Sequence, residues 1–300
     1  MYVVAGAAGN TGNVVARNLL EKGEKVRVID RDFERLKALA ANGAEAFPAD
    51  LTDTFALARA FAGAKAVYLL VPPNISSADF RGFQSRVTQA IASALQSARV
   101  THAVTLSSIG AEKPEKTGPV AGLHEFEERL NRLGDLNVLH LRAGYFMENT
   151  FPQVGNIEKF GMAVGPLDPD LKLAMIASQD VGAAAADALV NLNFSQKQAR
   201  ELLGERDLSM REVTHIIGKA IDKPGLPYVR AGDDQLRAAL IQAGMSLNMA
   251  DLLLEMAGAL NSGHMRPLET RSPENTTPTS YEQFVADQIV PLFEGRSAAA

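Results

Sequence analysis

The chain has 300 residues, of which 46% are hydrophobic and 22% are charged, and its formal net charge is −5. It contains no cysteine, which excludes disulfide bonds, thiol catalysis and cysteine-ligated metal. No two of its five histidines have the spacing of metal ligands, so we expect no metal site. Without a basic run we expect no nucleic-acid or membrane partner, and the composition points to a cytoplasmic protein that binds small molecules.

The first predicted element is a strand that leads through a glycine-rich turn into a helix. Tyr2–Ala5 are apolar or favour strands, and the following seven residues carry three glycines spaced three apart. Glycines at this spacing allow a tight turn, a close approach of the backbone to a pyrophosphate, and close packing of helix on strand. A diphosphate would then lie at the positive end of the helix dipole. The predicted cofactor-binding residues of this turn are Gly6, Gly9, Asn10, Thr11 and Gly12.

A second predicted strand, Lys25–Asp30, ends in a carboxylate about 20 residues after the turn, where a dinucleotide-binding unit contacts the adenosine ribose. Asp30 could accept hydrogen bonds from the ribose hydroxyls of NAD. Arg31 could instead pair with the 2′-phosphate of NADP. Asp30 could also simply cap the helix predicted from Phe33. The choice between NAD and NADP stays open at this point.

The next elements continue the alternation of strands and helices. We predict strands at 44–47, 66–71, 102–106 and 137–142, and helices at 33–41, 54–62, 80–97 and 123–133. This pattern predicts a doubly wound parallel sheet of the Rossmann type, whose ligands lie at the carboxyl ends of the strands. Besides the turn and Asp30, the candidates at that edge are Asp50, Val71–Pro72 and Ser107–Ser108.

Beyond residue 150 the alternation becomes irregular. We predict a nucleotide-binding domain over 1–150 and a smaller α/β substrate region over 151–300, with the chain crossing back to the sheet. Short strands are predicted at 162–164, 171–177 and 200–203, and helices at 181–192, 210–221, 245–260 and 281–293. Met245, Met249 and Met256 on one helix could fill core gaps or form an adaptable wall of a substrate pocket. The last residues, 297–300, are expected to be frayed.

Three segments resemble the NmrA-like branch of the atypical short-chain dehydrogenases/reductases. Residues 6–12 are similar to its GATGxxG loop, with Ala8 in place of threonine. Residues 104–111 are similar to its fifth strand and the serine pair after it. Residues 141–149 resemble its Leu-Arg-Pro-x-x-Phe-Met-Glu-Asn segment, with Ala143 in place of proline. A further likeness at 175–182 extends the match to about residue 220.

The resemblance implies a Rossmann domain that binds NADP or NAD and a C-terminal part that forms one wall of a cleft. It implies that Asp50–Leu51 lie near the adenine and Val71–Pro72 along the ribose and pyrophosphate. Tyr145, Phe146 and Met147 would lie near the nicotinamide. Ser107, at the carboxyl end of the fifth strand, is a further predicted cofactor-binding residue. Family members include quinone, triphenylmethane dye and isoflavone-type reductases, and also redox sensors that bind the dinucleotide without turnover.

The chain departs from typical short-chain dehydrogenases because it has no Tyr-x-x-x-Lys motif. The corresponding helix carries Leu-His-Glu-Phe-Glu-Glu at 123–128. Candidate proton donors are then His124, because imidazole is a common general acid, followed by Tyr145 and Ser107. Each also has a plain structural explanation. His124 could be a capping or surface histidine, Tyr145 could pack on the cofactor, and Ser107 could be a loop hydroxyl whose hydrogen bonds are satisfied.

Two functions remain open from the sequence. The first is an NAD(P)H-dependent reductase that transfers hydride to a quinone-like or other conjugated small molecule, a reaction whose delocalised product needs little help from an acid. The second is a dinucleotide-sensing regulatory protein without turnover. We expect a monomer or a homodimer in either case.

Overall fold

The computed structural model describes residues 1–297, so the expected fraying at the C terminus falls largely outside the described residues. The strands are β1 (Tyr2–Ala5), β2 (Val26–Asp30), β3 (Glu45–Pro48), β4 (Ala66–Leu69), β5 (His102–Ser108), β6 (Asn137–Ala143), β7 (Tyr145–Phe146), β8 (Ala163–Gly165), β9 (Leu173–Ile176), β10 (Lys197–Leu202), β11 (Asp207–Leu208) and β12 (Tyr228–Arg230).

Twelve α-helices are described, with short 3₁₀ turns before α2 and α6 and a π-helical turn between the last two. They are α1 (Asn10–Glu21), α2 (Lys37–Ala41), α3 (Thr54–Phe61), α4 (Phe80–Ala98), α5 (Val120–Asn131), α6 (Pro152–Phe160), α7 (Ser178–Asn191), α8 (Met210–Ala220), α9 (Asp233–Gln242), α10 (Leu247–Asn261), α11 (Tyr281–Phe284) and α12 (Val290–Ser297). None of the helices within residues 1–297 is both long and apolar enough to cross a membrane.

Seven parallel strands form the main sheet in the order β10-β6-β5-β4-β1-β2-β3. The order reverses beside β1, and such a reversal places a crevice at the carboxyl ends of the strands. This confirms the predicted Rossmann-like α/β fold. Two smaller sheets, β11-β9-β7 and β12-β8, lie in the C-terminal half.

Helices cover both faces of the main sheet. Val15 and Leu19 of α1 and Val181 of α7 are fully buried on one face with Tyr2 and Val4 of β1. The alternate residues of β1 pack on the other face, in a core that includes side chains of α3, α4 and α5. Because both faces are covered, the central strands β1 and β4 are apolar and buried throughout, as expected for a buried parallel sheet.

The chain returns to the main sheet after residue 151, through α7 and β10. Gly182 of α7 lies so close to α1 that a Cβ there would be 2.6 Å from Val14 Cβ. The remaining C-terminal elements surround a separate core that includes Met147, Met175 and Tyr281. The division of the chain at residues 150 and 151 stays a prediction.

Several sequence-based predictions of single elements need correction. Ser107 and Ser108 are the last residues of β5 rather than a loop after it, because both remain paired with β6. Helices α6 and α9 and strand β12 were not predicted. Helix α9 buries none of its residues and therefore needs no apolar face. Its sequence lacks the strong apolar periodicity by which a helix is predicted. By contrast, the helix predicted at 210–221 is present as α8, and it begins with a capping box of Ser209 and Glu212.

Candidate functional site

A cleft of about 450 Å³ opens at the carboxyl ends of the central strands. We call it the glycine-loop cleft. Most of the predicted cofactor-binding residues line it: Gly6, Gly9, Asn10, Thr11, Asp30, Arg31, Asp50, Leu51, Val71, Pro72 and Phe146. The fold therefore brings together residues that are as much as 140 positions apart in the sequence.

The glycine loop has the conformation that its sequence predicts. Gly6 has a φ of +62°, in the left-handed region that favours glycine. A Cβ on Gly12 would be 2.4 Å from the Gly6 carbonyl oxygen, so Gly12 does not line the cleft but allows α1 to pack close to the loop. The first turn of α1 carries no acidic side chain, and its N–H groups have no helical partner. A dinucleotide diphosphate fits this cradle.

Thr11 contributes to the cleft mainly through its backbone. Its hydroxyl accepts a hydrogen bond from the buried Tyr68 hydroxyl, with 2.9 Å between the two oxygens. This bond ties the start of α1 to β4 below it, because Tyr68 is fully buried. The glycine loop is therefore held in place by this hydrogen bond as well as by the conformation of its own turn.

The rim of the cleft at β2 carries both charges that the sequence predicted and a third that it did not. Arg35 Nη1 lies 3.4 Å from Asp30 Oδ1, and Arg35 Nη2 donates to the Ala8 carbonyl at 3.2 Å. Arg31 is exposed beside them. Asp30 is therefore partly neutralised, and the guanidinium groups of Arg31 and Arg35 line the cleft beside it.

Asp50 has a local structural role in addition to its place in the cleft. Its Oδ1 accepts hydrogen bonds from the Thr52 backbone N–H at 2.8 Å and from the Thr52 hydroxyl at 2.7 Å. This side-chain turn fixes the backbone between β3 and α3. Leu51, which is largely buried, follows directly and offers an apolar surface to the cleft.

A second cavity of about 280 Å³ adjoins the first, and we call it the apolar pocket. Its lining includes Leu106 and Ser107 at the end of β5 and Tyr145 and Phe146 of β7. Leu123 of α5 and three residues of the C-terminal region, Met256, Leu260 and Met265, add apolar surface. Of the three methionines considered from the sequence, Met256 lines this pocket, whereas Met249 is buried in the core and Met245 lines neither cavity.

The two cavities share a wall. Val71, Leu106, Phe146 and Asn149 line both of them. A ligand in the glycine-loop cleft that reaches these four residues therefore also faces the apolar pocket.

Beneath the apolar pocket lies a buried polar network. Ser107 Oγ donates to Glu127 Oε1 at 2.5 Å, and Arg142 donates to both Glu127 oxygens at 3.0 and 2.6 Å. Burial alone would raise the pKa of Glu127, but the hydrogen bonds from Arg142 and Ser107 and the nearby positive charge together outweigh burial, and the pKa lies below its usual range. Glu127 is therefore an anion at neutral pH, and Ser107 is oriented as a donor toward it.

Of the three predicted catalytic residues, the structure brings two together. Ser107 and Tyr145 both line the apolar pocket, and burial raises the pKa of Tyr145 to about 12, so its hydroxyl is protonated at neutral pH. His124 lines neither cavity. Its Nδ1 lies 2.8 Å from the carbonyl oxygen of Ala111, in the loop before α5, and it does not cap the helix.

Sequence reasoning missed several lining residues. Arg35 looked like any other charged residue of a predicted helix, and Leu106 like any buried strand residue. Asn149 and Glu148 lay within the family-like segment 141–149 but were not chosen. Glu148 lines the cleft while its Oε1 accepts from the Ser178 backbone N–H at 3.0 Å. Within residues 1–297 no group of three or more His, Asp or Glu side chains could hold a metal ion.

A comparison with known protein families shows which family the chain belongs to. The model of the NmrA-like family matches residues 2–284. The chain belongs to the NmrA-like family. The match of this NmrA-like chain extends well past residue 220, where its recognisable motifs end, and it confirms the resemblance that those motifs indicated.

Two curated relatives of this NmrA-like protein are reductases. NAD(P)H azoreductase of Xenophilus azovorans is 27% identical over 260 residues, which cover 85% of this chain and 86% of the relative. The (4-alkanoyl-5-oxo-2,5-dihydrofuran-3-yl)methyl phosphate reductase of Streptomyces griseus is 29% identical over 241 residues, 80% of each chain. The NADPH-dependent quinone oxidoreductase QOR2 of Escherichia coli, in complex with NADPH, has the same fold, with a TM-score of 0.81, 23% identity, and coverage of 96% of this chain and 100% of that one.

Proposed function

We propose that this NmrA-like protein is an NAD(P)H-dependent reductase that transfers hydride to a quinone-like or other conjugated small molecule. The observation that carries the proposal is the shared wall of the two cavities. A dinucleotide diphosphate seated on the glycine loop directs the rest of the ligand toward Val71, Leu106 and Phe146, and beyond them lies a pocket for a flat apolar acceptor.

The chain's own residues would hold the cofactor along the cleft. The N–H groups at the start of α1 bind the diphosphate, Asp50–Leu51 contact the adenine, and Val71–Pro72 line the ribose and diphosphate. Arg31 and Arg35 favour NADP over NAD, because two positive side chains lie beside the single negative charge of Asp30. Arg35 also partly neutralises Asp30, which would otherwise repel a 2′-phosphate. NAD(P)H bound in this way supplies a hydride to an acceptor in the apolar pocket.

The apolar pocket orients the acceptor and excludes water from it. Its side chains are mostly aliphatic or aromatic, so the binding energy comes from burial of a planar apolar molecule. The names of the relatives fit this proposal, since an azo compound, an unsaturated lactone and a quinone are all conjugated acceptors. Reduction of such a molecule leaves a delocalised anion that needs no strong acid beside it.

Two hydroxyl groups lie where they could contact the reduced acceptor. Ser107 directs its proton to Glu127, so its oxygen offers lone pairs to a product O–H or N–H group. The Tyr145 hydroxyl keeps its proton at neutral pH and can donate a hydrogen bond to an acceptor oxygen or nitrogen. We assign these residues to orientation of the acceptor, and we assign no role in proton transfer to His124.

The experiment is a paired titration followed by turnover. Binding of NADPH and NADH to the purified protein is measured by fluorescence, and the tighter coenzyme is then oxidised in a stopped-flow instrument with a panel of quinones, azo dyes and triphenylmethane dyes. The reductase proposal expects multiple turnovers with at least one acceptor. Absence of coenzyme binding would overturn the proposal altogether.

A second function, a redox sensor without turnover, rests on one observation. The chain lacks Tyr-x-x-x-Lys, and the Ser107 proton is already committed to Glu127. A sensor would bind the reduced and oxidised coenzymes with clearly different affinities and would oxidise neither NADPH nor NADH with any acceptor of the panel.

A further inference from the structure

The mouth of the apolar pocket carries positive charge without a matching carboxylate. Lys172 and Arg266 line the pocket, and none of the described residues that line it is aspartate or glutamate. Lys172 is already paired with Glu212. Arg266 is exposed and forms no described hydrogen bond or ion pair.

The backbone around Arg266 is held firmly in place. Met265 is buried, and its N–H donates to the Ala259 carbonyl at 3.0 Å. On the other side, the N–H groups of Leu268 and Glu269 donate to the Glu201 carboxylate at 2.9 and 2.8 Å. Arg266 is therefore presented at the pocket mouth from a fixed position rather than from a loose loop.

The neighbouring carboxylates are occupied by other groups. Both oxygens of Glu201 accept backbone N–H groups, and Glu269 accepts from the Glu201 N–H and from Asn275 Nδ2. These bonds hold the loop together, and neither carboxylate is a described partner of the Arg266 guanidinium. A guanidinium also stacks on planar π systems and pairs with oxyanions through two parallel hydrogen bonds.

We propose that the preferred acceptor is an anionic conjugated molecule, a planar apolar ring system bearing a sulfonate, carboxylate or phosphate that Arg266 binds at the pocket mouth. This inference rests on the proposed function and names its substrate class. The apolar pocket takes the ring system, while the anionic group stays at the solvent-exposed mouth beside the guanidinium, where it does not have to be fully desolvated.

The test compares two matched pairs of ligands. For turnover, the acceptors are 1,4-naphthoquinone and its 2-sulfonate. Neither quinone can react with a thiol of the protein, because the chain contains no cysteine. For binding, the dyes are N-phenyl-1-naphthylamine and 8-anilinonaphthalene-1-sulfonate, measured by fluorescence with the oxidised coenzyme present. The variants are Arg266→Gln, Arg266→Lys and, as a control for net charge, Arg86→Gln, an exposed residue of α4 that lines neither cavity.

We expect Arg266→Gln to lower the ratio of kcat/KM for the sulfonate to kcat/KM for the neutral quinone by about fivefold, the size of one charge-assisted hydrogen bond at a partly exposed site. The Kd ratio of the two dyes should change by a similar factor. Arg266→Lys should restore part of both ratios, Arg86→Gln should leave them unchanged, and high salt should weaken the wild-type preference.

The outcomes separate this inference from the reductase proposal. Equal changes for charged and neutral ligands, or no change in either ratio, would overturn the anionic substrate class even if the protein turns over quinones. A changed dye ratio in a protein that reduces no acceptor would support the anion site and overturn the reductase.

Discussion

Ser107 and Glu127 are joined by a hydrogen bond of 2.5 Å between Ser107 Oγ and Glu127 Oε1. Glu127 lies four residues after Leu123 on α5, and Leu123 faces the apolar pocket. Two residues at this spacing lie on the same side of a helix, which is also the spacing of tyrosine and lysine in Tyr-x-x-x-Lys. Leu123 and Glu127 thus lie on the same side of α5, and the buried Glu127 carboxylate is paired with Arg142.

Replacement of Glu127 by glutamine should destabilise the protein strongly. The change leaves the half-buried Arg142 without its main partner, and removal of one member of a buried pair costs about 3 kcal/mol. The free energy of unfolding is measured by urea denaturation. The control is Asp170→Asn, which breaks the exposed pair with Arg211 and should change stability little. Equal effects of the two substitutions would contradict the structural role of Glu127.

The buried His140 should make stability depend on pH. Burial lowers the pKa of His140 to about 4 from an ordinary value of 6.5, while its ring nitrogens contact Thr105 and Asn131 at 2.7 and 3.1 Å. The unfolded chain therefore takes up a proton at a higher pH than the folded chain. Stability is complete above about pH 6.5 and falls as the pH drops toward about 4, by about 3 kcal/mol for a shift of this size.

Substitution of His140 by glutamine isolates this contribution. Unfolding curves of the wild type and His140→Gln are measured between pH 7.5 and 4.5, and the slope of stability against pH should be smaller in the variant. Glu127 also makes stability fall as the pH drops, but at a lower pH. Its pKa is lowered in the folded protein, so its contribution to stability is lost as the pH falls toward that lowered pKa. Identical slopes for both proteins would rule out His140 as the source.

Two glycines in helices provide a matched test of the glycine loop. A Cβ on Gly12 would be 2.4 Å from the Gly6 carbonyl oxygen, whereas a Cβ on Gly258 of α10 would meet no atom within 4 Å. Gly12→Ala should therefore destabilise the protein by about 1–3 kcal/mol and weaken coenzyme binding. Gly258→Ala should stabilise it by about 0.5–1 kcal/mol, because alanine favours the helix. Thermal unfolding and coenzyme titration measure both effects, and a tolerated Gly12→Ala would show that the loop does not need this close contact.

Arg35 should decide the selectivity between NADPH and NADH. Loss of a guanidinium that pairs with the 2′-phosphate should raise the Kd of NADPH by about tenfold, the size of a charge-assisted hydrogen bond in a partly exposed site. The Kd of NADH should change much less, since it lacks that phosphate. Fluorescence titrations of Arg35→Gln and, for comparison, Arg31→Gln measure both constants. A parallel loss of both affinities in Arg35→Gln would mean that Arg35 supports the loop through Ala8 rather than reading the phosphate.

The amino-acid sequence was enough to predict much of the N-terminal half of the fold. Residues 2–21 form strand, turn and helix within one contiguous stretch, and the glycine spacing specifies a backbone geometry that depends little on the rest of the chain. Apolar runs bounded by capping and turn residues also located β2, α3 and α4 to within a few residues. Asp30, Asp50 and Val71–Pro72 could be assigned to one cleft because parallel strands align their carboxyl ends.

The packing of elements that are distant in the sequence determines which residues complete the site. The pairing of Ser107 with Glu127, the wall formed by Met256 and Met265, and the position of Arg35 beside Asp30 all depend on how separate elements pack. His124 and Glu127 lie on the same short helix, yet one binds a loop carbonyl and the other a buried arginine. Helical rotation and burial set that difference, and no local pattern in the sequence records which face of α5 meets the sheet.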